Sequence, residues 1–232
     1  LRRSSHATEP YLNSGNVLLD RLFGARIHVI EAHENRETAM EARANALRRE
    51  GRRPYCIPVG GSCALGNLGY AVCAAEILAQ SDDTGLRFET IMVATGSGGT
   101  QGGLVAGMQI LGGLSVAGIA VEGDRYEQEA LAVRQAGETL RLLEYPDLDP
   151  REQICVLDEF AGPGYARPTE SMREALTLAA RFEGLVLDPV YTGKSFAGLL
   201  SLARDGRFGK KQSLLFLHTG GAPGLFGYPE SV

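Results

Sequence analysis

Thr95-Gly96-Ser97-Gly98-Gly99-Thr100-Gln101-Gly102-Gly103 follows an apolar run, Phe88 to Ala94, and opens a helical pattern that continues through Met108. The run before it has no polar face, the pattern of a strand buried on both sides of a sheet. Buried strand, glycine turn and helix start together form the joint of an α/β unit with a mainly parallel sheet. N–H groups at such a helix start have no partner within the helix and lie at the positive end of its dipole. The glycines let an anion approach the backbone, and Thr95, Ser97 and Thr100 add hydroxyls. The stretch reads as a phosphate cradle, with a ligand-free strand-to-helix turn as the plain alternative.

Working outward, strand and helix signals alternate along the whole chain. Upstream, the spacing predicts a helix around Val17 to Phe23 stopped by Gly24, a strand over 26–30, and a charged helix over 34–50 ended by Gly51. A short strand follows over 55–59, and Leu65, Leu68, Val72, Ala75 and Ile77 form a helical stripe. Downstream, strands are expected over 115–121, 153–157, 185–187 and 213–217. The helices between them run over 126–136 (ended by Gly137), from a Thr169 cap to Phe182 with Gly184 beyond, and over 195–203. A domain boundary falls near residue 58, giving a small remnant over 1–58 and a large α/β domain over 59–232.

Two more loops share the strand-end pattern: Pro58-Val59-Gly60-Gly61-Ser62 and His218-Thr219-Gly220-Gly221-Ala222-Pro223. In open α/β sheets ligands collect at the carboxyl ends of strands, so such loops converge on one cleft. A dinucleotide fingerprint is only partly met, since Gln101 stands at its third glycine; Glu122, after the next strand, keeps a nicotinamide reading open. Gly193-Lys194-Ser195 is not a P-loop, because Asp188 stands where its first glycine belongs. His218 reads as a hydrogen-bonded core histidine.

Composition narrows the classes. Net charge is −5 and 44% of the 232 residues are hydrophobic, so the chain is not a disordered segment. No basic stripe with interleaved aromatics points to nucleic acid. No apolar run approaches ~18 residues, so no membrane span is expected. Leu1-Arg2-Arg3-Ser4-Ser5-His6 lacks the apolar core of a secretory signal. Cys56, Cys63, Cys73 and Cys155 fit no metal or redox spacing and read as buried free thiols in a reducing cytoplasm. Only three of the 23 basic residues are lysines: Lys194, Lys210 and Lys211.

Four ordered motifs resemble the D-cysteine desulfhydrase and 1-aminocyclopropane-1-carboxylate deaminase family of pyridoxal-phosphate enzymes. They are Asn13-Ser14-Gly15-Asn16; Ile57-Pro58-Val59-Gly60-Gly61-Ser62 with Ala64-Leu65-Gly66 and Leu68-Gly69-Tyr70; Thr95 to Thr100; and Asp188-Pro189-Val190-Tyr191-Thr192-Gly193-Lys194 with His218 to Pro223. The resemblance covers essentially the whole chain. It implies the tryptophan-synthase-β-like fold, PLP fold type II, with a parallel sheet flanked by helices and a homodimer for the complete protein. It implies pyridoxal 5'-phosphate as cofactor, its phosphate held by Thr95, Gly96, Ser97, Gly98, Gly99 and Thr100. It further implies Tyr191 as the tyrosine placed for proton transfer, Tyr165 as a second tyrosine lining the site, and Thr219 as partner of the pyridine nitrogen. Thr192 and Thr219 fit the desulfhydrase pattern. The deaminase carries glutamate and leucine at those positions, so Thr192 is expected to bear on substrate choice. The implied reaction takes a small amino acid, D-cysteine, to pyruvate, hydrogen sulfide and ammonia. The cyclopropane ring opening is the alternative.

The family's cofactor-bearing lysine and its Ser-Asn-His stretch lie in a front segment that this sequence does not contain. None of the three lysines fits that role: Lys194 reads as structural, Lys210 and Lys211 as solvated. The chain is therefore expected to be the remainder of a longer enzyme, poorly soluble and inactive by itself, with a non-catalytic truncated paralogue as the other possibility.

Overall fold

The computed structural model describes residues 8–209 and 212–231. The chain divides into two compact units, Leu1–Val59 with Pro223–Glu230, and Gly60–Ala222 with Ser231–Val232. The N-terminal heptad, Lys210 and Lys211, whose readings are given above, lie outside the described residues.

In the first unit, α1 (Glu9–Asn13) is capped by the Thr8 hydroxyl, α2 (Gly15–Leu22) follows directly, and α3 (Arg36–Arg49) is capped by Asn35, whose side chain accepts from Thr38 N–H at 2.9 Å. Val17 and Ala44 are its buried apolar side chains. The strands expected over 26–30 and 55–59 do not form. Ile30 makes an isolated bridge, and residues 54–58 alternate in exposure but join no ladder. A strand exists only through its neighbours, and among the described residues no strand pairs with either segment. Both segments line an open groove of about 580 Å³ over α3.

The second unit is a four-stranded parallel sheet in the order β3-β2-β1-β4. Its elements run α4 (Ala64–Thr84), β1 (Thr90–Thr95), α5 (Gly99–Leu111), β2 (Ser115–Ala120), α6 (Arg125–Leu142), β3 (Ile154–Leu157), α7 (Glu170–Glu183), α8 (Thr192–Arg204) and β4 (Leu214–Phe216); the short α9 (Ala222–Leu225) belongs, from Pro223 on, to the first unit. β1 is central, with Thr90 opposite Ser115 on one side and Leu214 on the other. Ile91 and Val93 pack with Leu104, Val105 and Met108 of α5, Ala74 of α4 and Ala136 of α6. Met92 and, from β2, Ile119 point the opposite way onto Leu202 of α8. The run without a polar face is thus covered on both sides, as its pattern requires.

Three expectations are corrected here. Gly137 does not end α6, which continues to Leu142. Burial of Thr139 and Leu140 beyond it outweighs the roughly 1 kcal/mol that a glycine costs inside a helix. Residues 185–187 are not a strand, although Val186 C=O accepts from the His218 ring at 3.2 Å. The cysteines are free but not buried: Cys56, Cys63 and Cys73 are half-buried and Cys155 is exposed. Among the described residues no helix is long and apolar enough to cross a membrane.

Candidate functional site

The glycine loop leaves β1 at Thr95 and turns into α5 at Gly98. Gly98 has φ +78°, and a Cβ there would lie 2.9 Å from the backbone of Leu131 and Ala132 in α6. The N-cap residue of α5 is Gly98, which has no side chain to cap it, so the N–H groups of its first turn are open to an acceptor at the loop. Ser97 is exposed, while Gly96 and Thr100 are half-buried. The Ser97 and Ser62 hydroxyls lie 2.6 Å apart, and the Thr95 hydroxyl is buried without a partner. An uncapped helix start with two serine hydroxyls at its mouth and an orphan hydroxyl beneath has the donor set that a phosphate needs. The cofactor's phosphate fits these residues. Ser62 was legible in its motif only as a loop residue, because its approach to Ser97 spans 35 positions.

Gln101 explains why the dinucleotide pattern breaks. Its amide is fully buried, donates to Cys155 C=O at 2.8 Å and lies directly on Gly118 of β2. The close helix–strand approach is made by a glycine on the strand, with a glutamine on the helix. Glu122 is exposed just past β2, and its charge acts on Lys194 and Tyr191.

Tyr191 stands beside the glycine loop: a Cβ on Gly96 would be 3.6 Å from its ring. Its hydroxyl is 2.7 Å from that of Tyr165, and the rings meet edge to face at 5.8 Å. Desolvation, followed by Tyr165 and then by Glu122 and Asp188, drives the Tyr191 phenol well above the ordinary tyrosine range. At neutral pH it keeps its proton.

Tyr191 is aimed by Asp188. This carboxylate, 3% exposed, accepts from Val190 N–H at 2.8 Å and Tyr191 N–H at 2.7 Å through one oxygen. Through the other it accepts from Thr192 N–H at 2.9 Å and the Thr192 hydroxyl at 2.7 Å. Thr192 returns the contact, its hydroxyl accepting from Asp188 N–H at 2.9 Å. Thr192 is 1% exposed, and its hydroxyl is committed to Asp188 instead of turning toward open space. The loop bearing Thr219 comes to the same carboxylate: Gly221 has φ +98°, and a Cβ there would sit 2.6 Å from Asp188 Oδ2. Thr219 itself is exposed. His218 accepts from Gly220 N–H through Nδ1 at 3.0 Å, so its ring proton sits on Nε2, facing Val186 C=O.

Lys194 is fully buried, and its three ammonium protons go to three backbone carbonyls: Ala161 at 2.6 Å, Gly164 at 2.8 Å and Val121 at 3.1 Å. Burial pushes it down to about 8 against the pull of Glu122. A side chain so engaged cannot carry a cofactor. Sequence reasoning had no signal for those three acceptors, which come from two other segments.

Comparison with known proteins supplies the lineage. The family model for pyridoxal-phosphate dependent enzymes matches residues 5–220. D-cysteine desulfhydrase of Serratia proteamaculans (strain 568) is 39% identical over 225 residues, 97% of this chain and 67% of that protein. A solved structure of an ACC deaminase homologue superposes with a TM-score of 0.86 at 36% identity, covering 99% of this chain and 67% of the other. Serine racemase from Dictyostelium discoideum, at 15% identity and a TM-score of 0.54 over 89% of this chain and 65% of its own, shares the fold. The nicotinamide reading is thereby set aside, and the α/β unit is PLP fold type II. The chain belongs to the family of pyridoxal-phosphate dependent enzymes.

Proposed function

We propose that the complete protein is a lyase that converts D-cysteine and water to pyruvate, hydrogen sulfide and ammonia. The observation that carries this reading is the 39% identity with a D-cysteine desulfhydrase across nearly the whole chain. Bound pyridoxal phosphate supplies an electron sink for the carbon bearing the amino group. The residues of this chain do the rest. Gly96, Gly98 and Gly99 offer backbone N–H groups to the phosphate, with the hydroxyls of Thr95, Ser97 and Thr100 around them. Tyr191, held protonated beside Tyr165, gives its proton to the departing sulfur, and the 2.7 Å contact lets Tyr165 replace it. Thr219 would offer the pyridine nitrogen a neutral hydroxyl, which would temper the sink. Thr192 acts on substrate choice at one remove, by fixing Asp188 and through it the backbone of Tyr191.

Opening of a cyclopropane amino acid is the second reading, favoured by the likeness to the ACC deaminase homologue. The assay that separates them gives the complete gene product D-cysteine, L-cysteine and the cyclopropane amino acid. Pyruvate and sulfide from D-cysteine alone are expected; 2-oxobutyrate from the cyclopropane substrate without sulfide release would overturn the reading. We further infer a domain boundary near residue 58, a homodimer, and a cytoplasmic setting in keeping with four free thiols.

A further inference from the structure

The segment from Ala161 to Ala166 carries Tyr165 and is held in a costly shape. Gly162 has φ +68° and Gly164 φ +145°, and Ala166, with a side chain, has φ +55°. Backbone in such regions persists only where its surroundings over-determine it. Backbone hydrogen bonds close its two ends, Ala161 N–H to Asp158 C=O and Arg167 N–H to Gly164 C=O. Between them the carbonyls of Ala161 and Gly164 point to one group, the ammonium of Lys194. Lys194 lies three residues after Tyr191, within the first turn of α8. One side chain therefore ties the segment bearing Tyr165 to the helix start bearing Tyr191, and anchors both to the end of β2 through Val121 C=O.

A buried lysine is an expensive way to fill space. An apolar residue would pack there at lower cost, but it would leave the Val121 and Ala161 carbonyls facing nothing and Gly164 C=O with Arg167 N–H alone. What the ammonium specifies is the position of the 161–166 backbone.

We propose that Lys194 is a positioning residue of the active site, whose ammonium holds Tyr165 in register with Tyr191. This rests on the reading of the tyrosine pair as substrate-facing, while the anchoring itself does not. The charged group acting on Lys194 is Glu122, past β2, which also acts on Tyr191. With its proton lost near 8 the amine keeps two donors for three carbonyls. The hold on the segment therefore weakens as pH rises through that value.

The test uses the complete gene product and its Lys194→Met variant. Amide exchange over 161–167 at about pH 6.5, where the ammonium is charged, is expected to be protected in the parent and to lose that protection in Lys194→Met. Turnover of D-cysteine is expected to lose about tenfold or more in kcat with KM changed less than about threefold. If Lys194→Met does not fold, the parent decides. Amide exchange over 161–167, corrected for its intrinsic pH dependence, is expected to lose protection between about pH 6.5 and about pH 9. A folded Lys194→Met with 161–167 as protected as in the parent at about pH 6.5, or parent protection that is unchanged across that range, overturns the proposal. A parent that turns over no D-cysteine while its 161–167 amides respond as expected overturns the lyase reading and supports the anchor.

Discussion

Replacing Asp188 with asparagine probes the group that aims Tyr191. The carboxylate accepts four hydrogen bonds, two on each oxygen, at 2.7–2.9 Å. Asparagine keeps the shape but has one oxygen. Its best placement leaves the oxygen on Val190 and Tyr191 N–H, because the Thr192 hydroxyl can rotate to accept from the new amide. Thr192 N–H then faces an NH₂ group and has no acceptor. A bond to a charged group is worth about 1.5–3 kcal/mol, and a buried donor left unpaired costs about 1–3 kcal/mol. Removing a negative charge at the start of α8 adds about 0.3–1 kcal/mol. Together these terms predict a loss of about 4 kcal/mol, against a total stability of about 5–15 kcal/mol for a domain. With a urea slope near 2.5 kcal/mol/M, the midpoint falls by about 1.5 M. Thr192→Val, which removes the hydroxyl alone, should cost about 1 kcal/mol. The two changes should combine less than additively, since they share a bond. A midpoint shift under about 0.4 M for Asp188→Asn, on that same slope, would refute the reasoning. The carboxylate would then be a bystander to the loop it touches.

Other consequences follow from the same geometry. Gly98→Ala places a Cβ 2.9 Å from the α6 backbone at φ +78°; the chain should lose about 3 kcal/mol, and cofactor retained after gel filtration should fall at least about tenfold. Tyr191→Phe removes one hydroxyl of a half-exposed pair, so denaturation should move by less than about 1 kcal/mol while kcat for D-cysteine drops about 10²-fold or more. Partial burial, helped by Glu76, raises the thiol of Cys73. Mass-spectrometric timing of alkylation at neutral pH should find Cys73 slower than an unperturbed peptide thiol.

What the sequence made legible was local. The β1–loop–α5 joint follows from one apolar run and its glycines, and the Thr169 cap and Gly184 stop of α7 from their residue types. What it hid was pairing at a distance. The 26–30 and 55–59 segments have strand composition, but composition cannot say whether a neighbour exists to complete a ladder. Gly137 carries a stop signal that the burial of Thr139 and Leu140 overrides. Asp188 and Lys194 stand in plain sight within a quoted motif. Their work appears only when Gly221 arrives at one and the carbonyls of Val121, Ala161 and Gly164 at the other.

The glycine excess needs the same distinction. Read along the chain, it looks like ligand-binding loops gathered around one cofactor. In the fold, Gly102, Gly103 and Gly107 lie inside α5, where a Cβ would strike Gln135 and Ala136 of α6, Asn67 and Tyr70 of α4, and Ala71 and Ala74 of α4. Gly118 makes the matching gap under Gln101. The three helix glycines cost helix propensity, roughly 1 kcal/mol each, and face packed neighbours. They let α5 sink between two helices and the sheet until nearly its whole first two turns are buried. A helix start set so deep cannot shift when an anion binds. The residues proposed to hold the phosphate and those that pack the helix are therefore parts of one device: the loop glycines open the backbone, and the helix glycines fix where that opening is.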